Sequence, residues 1–286
     1  MKNFTFKGFM VPVFTPFKAD KSLDLEVIPK YAEYLKQKGI DAILVNGTTG
    51  EGMSMTTQER KSVAEKWAVE RARLNFTMMV QIGGTSSADV FELARHAESI
   101  QVDGVLILPQ LYKKPQSEAE LIEYLEQVAT HCPNTPIFYY HIPKYTKVDV
   151  NISRVISLAR ARLPTFAGVK DSSANLEQIV HALDAGVTIF LGTNAIFVGS
   201  LALGFDSFIM TPLNIYPEMN QAIREWMAEG NVTAARQLQK ELNEKIREIT
   251  EKGEFTAAMK AKFNQIVANF GLNVGGVRCP LKDVHF

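Results

Sequence analysis

Short apolar runs and amphipathic stretches take turns along this chain. Gly8 to Phe14 is apolar and rich in β-branched and aromatic residues, and Thr15-Pro16 breaks it, which predicts a first strand. Asp24 opens a helical spacing through Val27, Ile28, Tyr31, Tyr34 and Leu35 that Gly39 stops, with Pro29 blurring its start. The same alternation recurs: strands at 42–45, 77–82, 104–108, 136–140, 166–170, 187–191 and 206–210, each followed by a helical pattern. Thr56 with Glu59 and Ser117 with Glu120 have the spacing of capping boxes, and Ser86 reads as a further N-cap. From Tyr216 onward the pattern is helical, with breaks at Gly230 and Gly253.

Eight such repeats predict a (β/α)8 TIM barrel, and strands this short and apolar suit burial on both faces. The rival is an open doubly wound sheet. No GxGxxG follows the first strand, which counts against it. The expected organisation is a barrel over 1–215 with additional C-terminal helices over 216–286 packed on it.

Composition narrows the partners. The chain has 286 residues, is 46% hydrophobic and carries 31 basic against 31 acidic side chains, which leaves no basic excess or block for a nucleic acid. Its two cysteines, Cys132 and Cys279, form neither a disulfide framework nor a CxxC site, so a reducing compartment is the simpler inference. The N-terminal Met1-Lys2-Asn3-Phe4-Thr5-Phe6 lacks the apolar core of a signal peptide, and no apolar run could span a bilayer. The expectation is a soluble, cytoplasmic protein acting on a small molecule, without nucleic-acid or membrane partners. His96, His131, His141, His181 and His285 show no ligand spacing, so no metal is expected.

The stretch Phe166 to Ser173 carries the candidate chemistry. An apolar run ends in Lys170, although lysine is a poor strand former and is rarely buried. Holding a lysine neutral near pH 7 costs roughly 4–5 kcal/mol from a free pKa near ~10.4, a shift that burial can supply. A neutral lysine attacks carbonyl carbon. The plain alternative is a lysine that reaches out of a strand end or pairs with Asp171. The Gly-rich turn Asn46 to Gly52 can aim amides and the hydroxyls of Thr48 and Thr49 at an anion. It lacks the Gly-Lys-Ser/Thr of a nucleotide loop, and a small carboxylate suits it better. The bland reading is a tight turn with hydroxyl caps. Tyr140 can exchange a proton at a strand end, whereas Tyr139 points the other way and reads as core. Tyr112, Asn194 and Thr211 follow strands four, seven and eight. Polar residues gathered at strand C-terminal ends are what a barrel active site requires.

Gly47-Thr48-Thr49-Gly50-Glu51, Tyr139-Tyr140-His141-Ile142-Pro143 and Gly168-Val169-Lys170, in this order and spacing, resemble the dihydrodipicolinate synthase / N-acetylneuraminate lyase family over nearly the whole chain. The turn and the Tyr-Tyr-His-Ile-Pro segment look most like the lyase branch. The resemblance implies a Schiff-base pyruvate aldolase on a barrel, needing no cofactor and usually a homotetramer. It implies that Lys170 forms the imine with a 2-oxo acid and that Tyr140 moves the C4 hydroxyl proton. It also implies that Thr48 and Thr49 hold the carboxylate, and that Tyr112, lent by a neighbouring subunit, joins Thr48 in a proton relay. Ser172, Gly192, Asn194 and Thr211 complete the candidate substrate-binding set.

Two positions depart from the family pattern. Tyr145 stands where the synthase branch carries an arginine for a second carboxylate. Gly192-Thr193-Asn194-Ala195 lacks the Asp-Glu pair that follows the glycine in the lyase branch. The substrate expected is therefore N-acetylneuraminate or a related 2-oxo-3-deoxy sugar acid, with a pyruvate-condensing synthase as the alternative.

Overall fold

The computed structural model describes residues 4–286. The N-terminal reading above falls in part on residues 1–3, outside the described set. Eight parallel strands follow one another in order and close: β1 (Gly8–Pro12), β2 (Ala42–Val45), β3 (Thr77–Gln81), β4 (Gly104–Ile107), β5 (Ile137–His141), β6 (Phe166–Asp171), β7 (Thr188–Leu191) and β8 (Ser207–Ile209). This is a TIM barrel, as the alternation predicts.

The helices are α1 (Ile28–Gln37), α2 (Thr57–Leu74), α3 (Ser87–Ser99), α4 (Glu118–Ala129), α5 (Pro143–Thr146), α6 (Ile152–Arg162), α7 (Leu176–Ile179), α8 (Phe197–Ala202), α9 (Pro217–Ala228), α10 (Val232–Thr250) and α11 (Phe255–Val267). Pro29 is tolerated because it falls in the first turn of α1, where a helix has no use for its missing N–H. Thr56 and Glu59 form the expected capping box on α2. The Ser117 box forms only by half. Ser117 Oγ accepts the Glu120 N–H, but the Glu120 carboxylate takes the N–H of Gln116, one residue earlier. The helix expected behind β6 is reduced to the single turn of α7 and a 3-10 turn at Val180–Ala182.

The chain separates into two compact units. One holds residues 4–8, Met78–Thr193 and Leu203–Ile209, and the other Phe9–Thr77, Asn194–Ala202 and Met210–Phe286. In the first, Phe4 meets Phe138 edge-on at 4.8 Å and Phe138 lies 5.7 Å from Phe190. In the second, Phe263 of α11 packs at 5.0 Å from Tyr31 and 5.4 Å from Phe14, so α11 shares a core with α1 and the end of the first apolar run. Among the described residues no helix is long and apolar enough to cross a membrane.

Candidate active site

The geometry around Lys170 begins with an irregularity. Strands β5 and β6 pair Ile137 with Phe166 but Phe138 with Gly168, so Ala167 is an extra residue on β6. Side chains alternate faces along a strand, and one inserted residue reverses the parity of all that follow. The insertion puts Lys170 opposite Tyr140, on one face; without it Lys170 would stand opposite His141. Gly168 makes the bulge possible. Its φ is +156°, and a Cβ there would lie 1.9 Å from the carbonyl oxygen of Thr188.

Both side chains are buried, Lys170 at 5% and Tyr140 at 2% exposure. Lys170 Nζ donates to Tyr140 Oη at 3.1 Å and stands 4.2 Å from the ring centroid. The snorkelling alternative is thereby excluded, and so is pairing with Asp171. That carboxylate accepts instead from the N–H and hydroxyl of Ser173, and burial pushes it up to about 6.

The opposite face of the two strands carries Tyr139, His141 and Asp171. Among the described residues, the Tyr139 hydroxyl and both ring nitrogens of His141 have no hydrogen-bond partner. The Asp149 carboxylate is 3.5 Å from His141 Nε2, too poorly placed to count as one. Burial pulls His141 down to about 4, so it is neutral at pH 7. The turn beyond Lys170 continues the ladder: Ser172 donates its N–H to the His141 carbonyl, and Gly192 donates its own to the Asp171 carbonyl. A Cβ at Gly192 would come within 2.0 Å of Ser172 Oγ, so a side chain there would force that hydroxyl to turn away. Tyr112, after β4, is 77% exposed.

In the second unit, the turn after β2 leaves Thr48 exposed and buries Thr49 to 6%. Thr49 Oγ1 is 2.7 Å from Thr211 Oγ1, which unites two of the expected binding residues, 162 positions apart. Thr211 is held by the turn after β8. There Asn214 donates to the carbonyls of Pro12 and Thr211 at 3.0 Å and accepts from the Tyr31 hydroxyl. Asn194 is 8% exposed, and among the described residues neither atom of its amide has a partner. Its main chain is fixed by α10: Gln239 donates to the Asn194 carbonyl and accepts from the Val198 N–H, and Asn243 donates to the Ala195 carbonyl. Among the described residues no group of three or more His, Cys, Asp or Glu is placed to hold a metal.

Sequence reasoning missed the bulge, although a glycine two residues before a polar strand end is its usual trace. It also missed that Glu51 is paired and buried. Its partner Lys260 is 209 positions away and left no local pattern.

A barrel with a buried strand-end lysine hydrogen-bonded to a phenol has the parts a Schiff-base aldolase needs, an amine for a carbonyl carbon and a proton carrier beside it. The comparisons agree. The model of the Dihydrodipicolinate synthetase family matches residues 5–285. N-acetylneuraminate lyase A of Xenopus laevis is 35% identical over 82% of this chain and 77% of its own length. The N-acetylneuraminate lyase (sialic acid aldolase) of Aliivibrio salmonicida superposes with a TM-score of 0.92 at 28% identity, over 99% of this chain and 93% of that one. The Proteus mirabilis N-acetylneuraminate lyase does so with a TM-score of 0.91 at 26% identity, over 98% and 93%. The chain belongs to the dihydrodipicolinate synthetase family.

Proposed function

We propose that this enzyme is a Schiff-base pyruvate aldolase that cleaves N-acetylneuraminate, to N-acetylmannosamine and pyruvate, or a related 2-oxo-3-deoxy sugar acid. The observation that carries the reading is the buried Lys170–Tyr140 pair at 3.1 Å. The relatives' activity supports the substrate class.

In this reading the Lys170 amine adds to C2 of the keto acid, Tyr140 gives its phenolic proton to the departing hydroxyl, water leaves and a protonated imine forms. The resulting Tyr140 phenolate accepts the proton of the C4 hydroxyl. As the C4 carbonyl forms, the C3–C4 bond breaks. Its electron pair moves to the imine nitrogen, giving an enamine, and the aldehyde departs. Tyr140 passes that proton to C3, and hydrolysis of the imine releases pyruvate and restores the amine, with the proton it frees returning to Tyr140. Thr48 and Thr49, with Thr211 behind Thr49, hold the carboxylate. Ser172, Gly192 and Asn194 line the path of the sugar chain, and Asn194 brings an amide that can both donate and accept.

The synthase alternative is disfavoured by Tyr145, which is 53% exposed and carries no positive charge for a second carboxylate. A homotetramer is supported by the exposure of Tyr112, an aromatic ring that a neighbouring subunit would cover. A cytoplasmic location is supported by the two free cysteines.

Borohydride reduction in the presence of pyruvate should leave a mass adduct on Lys170. An unmodified lysine after that treatment ends the aldolase reading. Offering sugar and semialdehyde acceptors with pyruvate, and reading products by mass, then separates the lyase from the synthase.

A further inference from the structure

The aldolase chemistry leaves one buried ion pair without a task. Glu51 closes the Gly-rich turn after β2, and Lys260 comes from α11. Their side chains are each 1% exposed and meet at 2.8 Å. Lys260 also donates to the Gly276 carbonyl at 2.7 Å and stands 4.4 Å from the Phe17 ring centroid. The second carboxylate oxygen of Glu51 accepts the N–H of Arg278 at 2.7 Å. One carboxylate therefore ties the turn both to α11 and to the chain beyond it. Arg278 extends the tie with two bonds from its guanidinium to Glu59, at 2.8 and 2.6 Å.

Buried ion pairs are weak stabilisers, because desolvation offsets most of the attraction. Here burial pulls Lys260 down to about 8 in spite of its partner. A task other than stability would explain such a pair, and the shape of the turn supplies one. Asn46 and Glu51 both hold left-handed backbone, with φ of +59° and +53°. Such residues persist only where their surroundings over-determine them. Gly50 and Gly52 are packed against main chain: a Cβ would lie 2.9 Å from the Val13 oxygen at the first and 2.0 Å from the Asn46 oxygen at the second. Thr15 Oγ1 donates to the Gly50 carbonyl at 2.6 Å, and the Glu51 N–H donates to the Thr48 carbonyl. Glu51 is thus one of the two left-handed residues, and Lys260 grips its side chain.

We infer that Glu51 and Lys260 are a positioning pair, which holds the Thr48–Thr49 turn in the one shape that accepts the carboxylate of a 2-oxo acid. Neither residue touches substrate. The inference rests on the aldolase reading, in which those threonines bind that carboxylate. It predicts that loss of the pair weakens keto-acid binding and leaves the chemistry at Lys170 intact. A merely structural pair would lower the melting temperature and leave binding unchanged.

The test is borohydride trapping on Lys170 across a range of pyruvate concentrations, with melting temperature in parallel, for the wild type, Glu51→Gln and the double variant Glu51→Gln/Lys260→Met. The expected result is an undiminished maximum of adduct with half-saturation raised about tenfold or more, in the manner of a lost binding contribution. A folded variant that half-saturates within about twofold of the wild type overturns the inference. Glu51→Gln keeps the size of the side chain and decides the matter should the double variant not fold. Absence of adduct on the wild type removes the aldolase reading and this inference with it; normal trapping with unshifted half-saturation removes the inference alone.

Discussion

The two faces of the β5–β6 pair are built from neighbouring residues of the same strands, yet they have opposite characters. On one face Tyr140 and Lys170 complete each other with a hydrogen bond. On the other, Tyr139 and His141 are just as buried, and among the described residues their hydroxyl and ring nitrogens have no partner. The chemistry of a tyrosine in this barrel is therefore set by strand parity, and parity is set by the extra residue Ala167. Burial alone does not make a functional residue; both faces have it. What distinguishes the first face is an amine and a phenol within one hydrogen bond of each other.

The comparison can be broken most forcefully at Lys170. Lys170→Ala should lose turnover by at least about 10⁴-fold, in line with losses of other covalent nucleophiles, while circular dichroism shows a retained fold. Measurable aldol cleavage by that variant would remove the imine. A smaller effect separates the adjacent tyrosines. Tyr140→Phe should slow turnover by about 10²–10⁴. Tyr139→Phe should change kcat by less than about threefold and leave stability equal or higher, because it deletes a buried hydroxyl that has no partner. Equal losses in the two variants would contradict the division into faces.

The smallest effect is a pH dependence on the second face. His141 is depressed to about 4 in the fold, so from about pH 6.5 downward the unfolded chain takes a proton that the folded one refuses. Its contribution to stability is lost as pH falls towards 4, amounting to roughly 2 kcal/mol by pH 5. Asp171 has the opposite sign: raised to about 6, it is relieved by protonation, and its contribution grows as pH falls through 6. His141→Phe should therefore gain stability over the wild type progressively between pH 7 and 5. Parallel melting curves for the two proteins across that range would show that His141 does not titrate as a buried neutral ring.

Much of the architecture was written in the local pattern. Eight apolar runs, each answered by a helical spacing, specify a (β/α)8 barrel because burial on both faces makes parallel strands uniformly apolar. Lys170 and Tyr140 stood out as polar groups at the ends of such runs. Thr48 and Thr49 stood out in a glycine-rich turn. These are signals of a few residues' reach, and sequence carries them directly.

What the sequence could not carry was partnership. The meeting of Thr49 with Thr211, of Glu51 with Lys260 and of Asn194 with α10 joins positions that are 162, 209 and 45 residues apart. Nothing in their neighbours' spacing announces such pairs, because they arise only when strands and helices stack. The same holds for the bulge at Ala167. Gly168 hints at it locally, but its effect exists only relative to the register of β5. The chain by itself determined which elements form and where its reactive groups fall along them. Tertiary structure alone decided which face those groups share and what they meet there, since facing and pairing are properties of two segments at once.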